Sequence, residues 1–469
     1  MLDEELSRAL DSYLDSNWDK MLADLERLVR IESVQDMSRA DEKQPYGPGP
    51  AQALEEALRL WKEYGFDSHN CEGRIGYADL PGEGKGQIGI IGHVDVVPAG
   101  EGWTFDPFAV TRKDGYLIGR GVSDDKGPMV MALHAANFWI RQNKKFPYDL
   151  RFIIGNNEET GMRDLQYYQQ HFEDPDLLFS PDDEFPVCYG EKGVFQGMFT
   201  SAPIEDGVIE SWQGGMAVNA VPGKMTAILN LPIDDFPKVK GISIEALPDG
   251  KTRLVAEGVQ AHASTPEDGT SAIKLMVKYL LDAGVCKGAE RAWLDLLWDI
   301  SCDFNGSGMG LACQCPHFGA LTLVGGLAGK RENCLTQSVD IRFGSLHTGS
   351  DLSKHMRNRA EACAASYEDL HIMEPFLMDK EGPLVQTLLQ SYRDVTGDMQ
   401  DAFTIGGATY ARHFKAGASF GVDVHGQNRP SWVGAMHAAD EGVAETWLKD
   451  AFKVYALAIY RLMQVDLEA

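Results

Sequence analysis

No window of the 469-residue chain approaches the roughly 18 consecutive apolar residues of a membrane-spanning helix. Positive charge is in short supply: 43 Lys and Arg stand against 70 Asp and Glu, a net charge of −27. That balance argues against nucleic acid or an anionic membrane as partner. Paired C-x-x-C units are absent from the eight scattered cysteines. The nearest approach is Cys313-x-Cys315, which reads as ordinary reduced thiols, not as a metal site or disulfide framework. Neither a basic n-region nor an apolar h-region marks the acidic opening Met1-Leu2-Asp3-Glu4-Glu5, so no signal peptide is expected there and the protein reads as cytoplasmic. Repeats and low-complexity tracts are also missing. What remains is a soluble globular composition, 44% hydrophobic and 24% charged, on a chain too long for one ordinary core.

Periodicity divides the chain. Apolar residues at helical spacing, among them Leu22, Leu25, Leu28 and Val29, predict an amphipathic helix within 3–33, and a second follows the Gly/Pro-rich 46–50 at about 49–65. Gln87-Ile88-Gly89-Ile90-Ile91-Gly92 and Leu150-Arg151-Phe152-Ile153-Ile154-Gly155 are short apolar runs of the kind buried on both faces of a sheet. A helix at 127–142 lies between them, and strand, helix, strand in that order predicts an α/β fold with a mostly parallel sheet. After about 190 the pattern becomes α+β. Strands are expected at 224–230, 241–246, 252–256, 321–325 and 335–343, with helices at 269–284 and 351–366. Helices at 383–396 and 441–464 close the chain. The expected organisation is a catalytic domain from 1–190 and 383–469, interrupted by an inserted α+β domain at 191–382.

Functional groups in parallel α/β folds gather at the carboxyl ends of strands. His93 and the Glu158-Glu159 pair fall at such ends, Asp124 and Asp125 lie in a loop flanked by glycines, Asp182 and Asp183 follow the apolar run 177–180, and His437 lies far downstream. Singly, each has a plain reading: His-x-Asp as a surface pair, adjacent acids as a solvated face. Together they offer what two metal ions about 3.5–4 Å apart require, namely a shared carboxylate with one histidine and one carboxylate to complete each ion. Asp95, beside His93, can orient an imidazole and raise its basicity, and Glu158 is a spare carboxylate able to move a proton.

The segments GHVDVVPAGEGW (92–103), GRGVSDDKGP (119–128), NNEETG (156–161), FSPDDEFP (179–186) and AMHAADE (435–441) resemble the aminoacylase/carboxypeptidase/dipeptidase superfamily of dinuclear zinc hydrolases, and within it the peptidase V-type dipeptidases. That resemblance implies Asp124 as bridging carboxylate, His93 and Asp182 on one zinc, Glu159 and His437 on the other, and Asp95 as the orienting group. It implies Glu158 as the base that deprotonates a metal-bridging water and passes the proton to the leaving amine. In the inserted domain, His262 resembles the lid histidine that donates to the developing oxyanion. Asn219 and Arg342 resemble the groups that hold the substrate's C-terminal carboxylate, and Gly407 lies in a substrate-contacting loop, 406–412, where bare backbone can approach a ligand. Alternatives stay open: Arg342 as a cap on a sheet edge, Asn219 as a turn former. Two zinc ions are expected, with cobalt or manganese as substitutes that such a site admits.

Aspartate at 182, where deacylases and carboxypeptidases of the superfamily more often carry glutamate, points by resemblance to substrates with a free amino group. Asp183 and 438–440 depart from the pattern without touching the ligand set. His134, His413 and His425 do not fit it and are left out. The expected activity is hydrolysis of dipeptides with a free N-terminus, by a monomer acting on small peptides. An N-acyl-amino-acid deacylase and a non-catalytic peptide-binding relative are the alternatives.

Overall fold

The computed structural model describes residues 3–467. Met1 and Leu2 of the acidic opening lie outside the described residues, as do the last two. The chain divides into two compact units: 1–189 with 377–403 and 409–469, and 190–376 with 404–408. The insert read from the sequence as 191–382 thus closes at Phe376, and a short later segment returns to it.

In the first unit, helix α1 (Glu4–Val29) begins at Asp3, whose side chain accepts from the Glu5 amide, and α2 (Pro48–Glu63) carries proline in its first turn. Strands β1 (Gln87–His93), β2 (Asp149–Gly155) and β3 (Leu177–Ser180) form the sheet centre in the order β2-β1-β3, followed by Gly417–Ser419. All three of these pairings are parallel, with His93 level with Gly155. The flanks turn antiparallel: Ile75–Leu80 and Asp67–Cys71 beyond β2, and Cys188–Glu191 beyond Gly417–Ser419. The parallel core is as the sequence implied, and its near-continuous apolar strands reflect burial on both faces.

Helix α3 (Lys126–Arg141) is buried continuously from Lys126 to Trp139. Tyr13 of α1 packs edge-on against Phe138 of α3, and Trp139 donates to the Ala456 carbonyl in the last helix, Glu445–Leu462. At the start of α3 the buried Lys126 ammonium donates to the carbonyls of Leu28 and Ile31, both at 3.0 Å. Carbonyls at the end of a helix have no partner within it, and this lysine supplies one for α1. Burial pushes Lys126 down to about 7 against the pull of Asp95 and Glu441.

The last helix starts at Glu445, not at 441 as periodicity suggested. Gly442–Ala444 is extended and pairs antiparallel with Tyr116–Ile118. A side chain at 442 would meet Val433 at 2.8 Å and the Leu117 carbonyl at 3.0 Å, so glycine permits this close strand contact.

The second unit is built on an antiparallel sheet ordered Ile242–Leu247, Lys251–Glu257, Lys224–Leu229, Ile209–Gly214, Ala328–Arg331, Cys334–Phe343, Gly193–Thr200, Ser366–Met373. Helices Ala272–Ala283, Gly288–Ser301 and Gly349–Ala362 supply apolar faces to its core, which includes Trp212, Trp293, Leu297 and Met356. Among the described residues, no helix is long and apolar enough to cross a membrane.

Candidate metal centre

The carboxyl ends of β1, β2 and β3 deliver His93, Glu158-Glu159 and Asp182 to one place in the first unit. Gly92, immediately before His93, has no room for a side chain: a Cβ would stand 2.1 Å from Asp125 Oδ2 and 2.6 Å from Met129 Sδ. The Asp125 carboxylate accepts the His93 amide at 3.2 Å, so the loop before α3 closes directly on β1. The Asp124–Asp125 peptide is cis.

Asp124 occupies the middle of the cluster. Its Oδ1 lies 3.0 Å from His93 Nε2 and its Oδ2 lies 2.8 Å from His437 Nε2. Asp182 Oδ2 is 3.7 Å from the same His93 nitrogen, and Glu159 Oε2 is 3.1 Å from the same His437 nitrogen. The five residues fall into two halves that share one carboxylate. Glu158 reaches the first half, with ligand atoms of His93, Glu158 and Asp182 lying within 4.8 Å of one another. His93, Asp124 and Asp182 are buried, whereas the His437 side chain is 55% exposed and its backbone sits at φ +64°.

His93 Nδ1 lies 2.9 Å from the Asp95 carbonyl oxygen and 3.6 Å from its carboxylate. Donation from Nδ1 to that carbonyl turns Nε2 toward Asp124 and Asp182, where it would serve as a ligand once deprotonated. The carbonyl is thus the closer orienting group. The Asp95 carboxylate instead accepts the amides of Glu158 and Glu159, both at 3.2 Å, and so positions the loop that carries them. Behind it, Asp164 accepts the amides of Asn156 and Asn157 at 2.8 and 2.9 Å, and the Tyr410 hydroxyl, fixing the end of β2.

Electrostatics mark this cluster as cation-seeking. Burial raises Glu158 well above the ordinary carboxylate range, with Asp182 adding to the effect, and raises Glu159 and Asp182, each with help from Asp124. Partial desolvation of the ring opposes protonation of His437, but hydrogen bonding to Asp124 and Glu159 carries it up to about 11. Burial likewise opposes a charge on His93, and Asp124 and Asp182 override it. Asp124 is held low by the two histidines despite its burial. His93 Nε2 and Asp124 Oδ1 are nevertheless buried without a hydrogen-bond partner, although they face each other. A divalent cation here would displace the His93 proton and meet an imidazole nitrogen together with carboxylate oxygens, a donor set suited to a metal.

The remaining expected residues lie in the second unit. Ala220–Val221 pairs with Ala261–His262, which places Asn219 Nδ2 3.5 Å from His262 Nε2. His262 Nδ1 accepts the Ser264 amide at 3.2 Å and lies 2.7 Å from the Ser264 hydroxyl, which fixes the ring with Nε2 toward Asn219. Arg342 is not at a sheet edge: its strand is paired on both sides, to Val194 and to Thr322. The guanidinium grips Asp340 in a fork, Nε to Oδ1 at 2.7 Å and Nη2 to Oδ2 at 3.2 Å, and Nη1 donates to the Gly406 carbonyl at 3.1 Å. A side chain on Gly406 would stand 2.8 Å from Ser264 Cβ, while one on the neighbouring Gly407 would meet only Ile405, at 3.4 Å. Asn219, His262, Arg342 and the 406–407 backbone therefore form one neighbourhood. The three histidines left out have other attachments: His134 to Asp24, His425 to Glu184, and His413 through its carbonyl to Gln169. Sequence reading passed over Asp164, Arg120 and Glu441, although the last two stand inside the motifs already singled out.

Comparison with known proteins accords with this architecture. The profile of Peptidase family M20/M25/M40 matches residues 89–461. A Beta-Ala-Xaa dipeptidase from Lactobacillus delbrueckii subsp. lactis is 32% identical over 466 residues, covering 95% of this chain and 96% of that protein. Among solved structures, the dipeptidase Dug1p from Saccharomyces cerevisiae superposes with a TM-score of 0.63 at 14% identity, over 99% of this chain and 100% of that one. The YXEP protein of Bacillus subtilis, a dinuclear metal-binding peptidase of the M20 family, gives 0.52 at 12% identity, over 95% and 99%. These two likenesses are of fold. With a matching profile over most of its length and a relative at 32% identity end to end, the chain belongs to Peptidase family M20/M25/M40.

Proposed function

We propose that the chain is a dinuclear zinc dipeptidase, a monomeric cytoplasmic enzyme that hydrolyses short peptides with a free N-terminus. The observation that carries this reading is the division of Asp124 between two histidines, Oδ1 toward His93 and Oδ2 toward His437. His93, Asp124 and Asp182 would hold one cation, and His437, Asp124 and Glu159 the other. A bound pair of zinc ions supplies Lewis-acid polarisation of a carbonyl and a lowered water pKa.

The chain's own groups do the rest. Glu158, next to the ligand Glu159 and raised by burial, accepts a proton from the attacking water and returns it to the leaving amine. Asp95 holds the Glu158-Glu159 loop through both amides. In the second unit, His262 is held through Nδ1 by Ser264, and a proton on its Nε2 would suit donation to an oxyanion, with Asn219 beside it. Arg342, pre-aligned by Asp340, suits the substrate's C-terminal carboxylate, and the Gly407 backbone suits close contact with the peptide. The dipeptidase relative supports this choice of substrate.

The test is a panel of dipeptides with free and blocked termini, assayed with zinc and with chelator. Cleavage of free dipeptides, lost on chelation, is the expected result. If zinc-loaded protein left every dipeptide intact while releasing amino acids from N-acyl derivatives, the deacylase reading would replace this one. Binding of peptides without turnover of either class would leave a peptide-binding protein.

A further inference from the structure

Two charged residues inside the motifs have no part in the scheme above. Arg120 and Glu441 lie 321 positions apart, are both buried, and meet through Arg120 Nη1 and Glu441 Oε2 at 2.5 Å. The Glu441 Oε1 atom faces the loop that bears Asp124, accepting the amides of Gly121 at 3.0 Å, Ser123 at 3.2 Å and Asp124 at 3.3 Å. Arg120 faces the other way. Its Nη2 lies 3.3 Å from the His437 carbonyl, 3.4 Å from that of Pro98 and 3.5 Å from that of Ala99.

Neighbouring groups tie the same three loops. The Trp103 ring lies 5.2 Å from the guanidinium and donates through Nε1 to Ala99 at 2.7 Å. Asp440 accepts the amides of Thr104 at 2.8 Å and Phe105 at 3.2 Å. The strand pairing of Gly442 with Ile118, and the Gly119 amide on the Glu441 carbonyl at 2.9 Å, hold Glu441 over the loop.

We propose that the Arg120–Glu441 pair positions Asp124 and His437 relative to each other and thereby sets the affinity of the centre for its metal ions. The proposal rests on the reading of these residues as ligands. A carboxylate that accepts the amide of Asp124 itself, and a guanidinium that binds the carbonyl of His437 itself, fix both ligand backbones through one ion pair. His437 needs such a hold, because an L-residue at φ +64° is at home there only when its surroundings impose it. Neither Arg120 nor Glu441 reaches the reacting groups through these contacts; they are positioning residues.

The test compares wild type with Glu441→Gln and Glu441→Ala. Zinc affinity is read by competition with a chromophoric chelator, the melting temperature of the metal-free protein by calorimetry, and kcat and KM on a dipeptide. Loss of a group that orients a ligand costs about 10–100-fold in metal affinity. Glu441→Ala is expected near the upper end and Glu441→Gln, which keeps an oxygen for the amides, near the lower, with kcat falling at sub-saturating zinc and recovering as zinc is raised. Wild-type zinc affinity in folded Glu441→Ala would overturn the proposal. So would equal losses in both variants matched by equal drops in metal-free melting temperature, the sign of a merely structural role. Should Glu441→Ala not fold, Arg120→Met/Glu441→Gln leaves no lone buried charge, and unchanged affinity there overturns the proposal equally. Zinc-loaded wild type that cleaves no dipeptide would sink the dipeptidase reading while leaving the affinity comparison intact.

Discussion

At the residue scale, the centre separates groups that would bind cations from the one that would move a proton. Glu158 and Glu159 are adjacent, yet only Glu159 lies against His437, while Glu158 turns toward the half that holds His93 and Asp182. In the proposed mechanism, Glu158→Ala lowers kcat by about 10²–10⁴-fold, the usual contribution of a positioned acid–base group. Metal analysis of the same variant should still find two zinc ions per chain; a variant stripped of zinc would make Glu158 a ligand and end its assignment as base. Asp124→Ala, by contrast, removes the carboxylate common to both halves and should lose both ions together. The candidate ligands were legible in the sequence because their residue types and motif context survive reading in one dimension. Which oxygen of Asp124 meets which histidine was not, since that depends on the cut of a loop held by Glu441 from the far end of the chain.

At the element scale, close contacts decide what pattern could not. Periodicity marked β1, β2, α2 and α3 well because each buries a strongly apolar face. It missed Gly288–Ser301, an amphipathic helix with Trp293, Leu294, Leu297 and Ile300 buried, and it began the last helix at 441. There, pairing of Gly442–Ala444 with Tyr116–Ile118 outweighs local helical pattern, as tertiary hydrogen bonding commonly does. The junction of β1 with the Asp124 loop yields a direct prediction. Gly92→Ala drives a methyl group into Asp125 and Met129, and overpacking of this kind costs about 1–3 kcal/mol. A lowered urea midpoint together with weaker zinc binding is expected; an unchanged midpoint would show that the loop yields without loss.

At the scale of the whole molecule, stability depends on charges remote from the centre as well as within it. Asp24, buried between α1, α2 and α3, accepts from Lys20 at 2.5 Å, Tyr64 at 2.6 Å and His134 at 3.0 Å. Burial alone would raise it, but these partners lower it to about 2. A carboxylate depressed in the folded state stabilises above its unfolded value near 4, and the contribution fades as pH falls toward 2. The shift corresponds to about 2 kcal/mol. Asp24→Asn should therefore lose about that much at pH 7, with the gap from wild type narrowing as pH falls from 4 to 2 in urea titrations. A gap independent of pH would deny Asp24 this role. His134, pushed down by burial despite Asp24, adds acid sensitivity in the same direction as pH falls through its unfolded value near 6.5. Metal removal acts on the same quantity. Zinc at 1,000 times its dissociation constant would add about 4 kcal/mol to the first unit. Chelation is thus expected to lower its melting temperature, and a transition indifferent to chelator would speak against an occupied centre.

The sequence by itself determined the apolar strands of a parallel core, the residue types of the centre, and their order along the chain. Those follow from local chemistry: strand burial demands apolar runs, and metal ligation demands histidine and carboxylate. Only the tertiary structure decided which oxygen of Asp124 faces which histidine, that the Asp95 carbonyl orients His93 while its carboxylate holds the next loop, and that Arg120 meets Glu441. These are consequences of where distant backbones come to lie, set by strand pairing and close packing across hundreds of residues, and no local pattern encodes them.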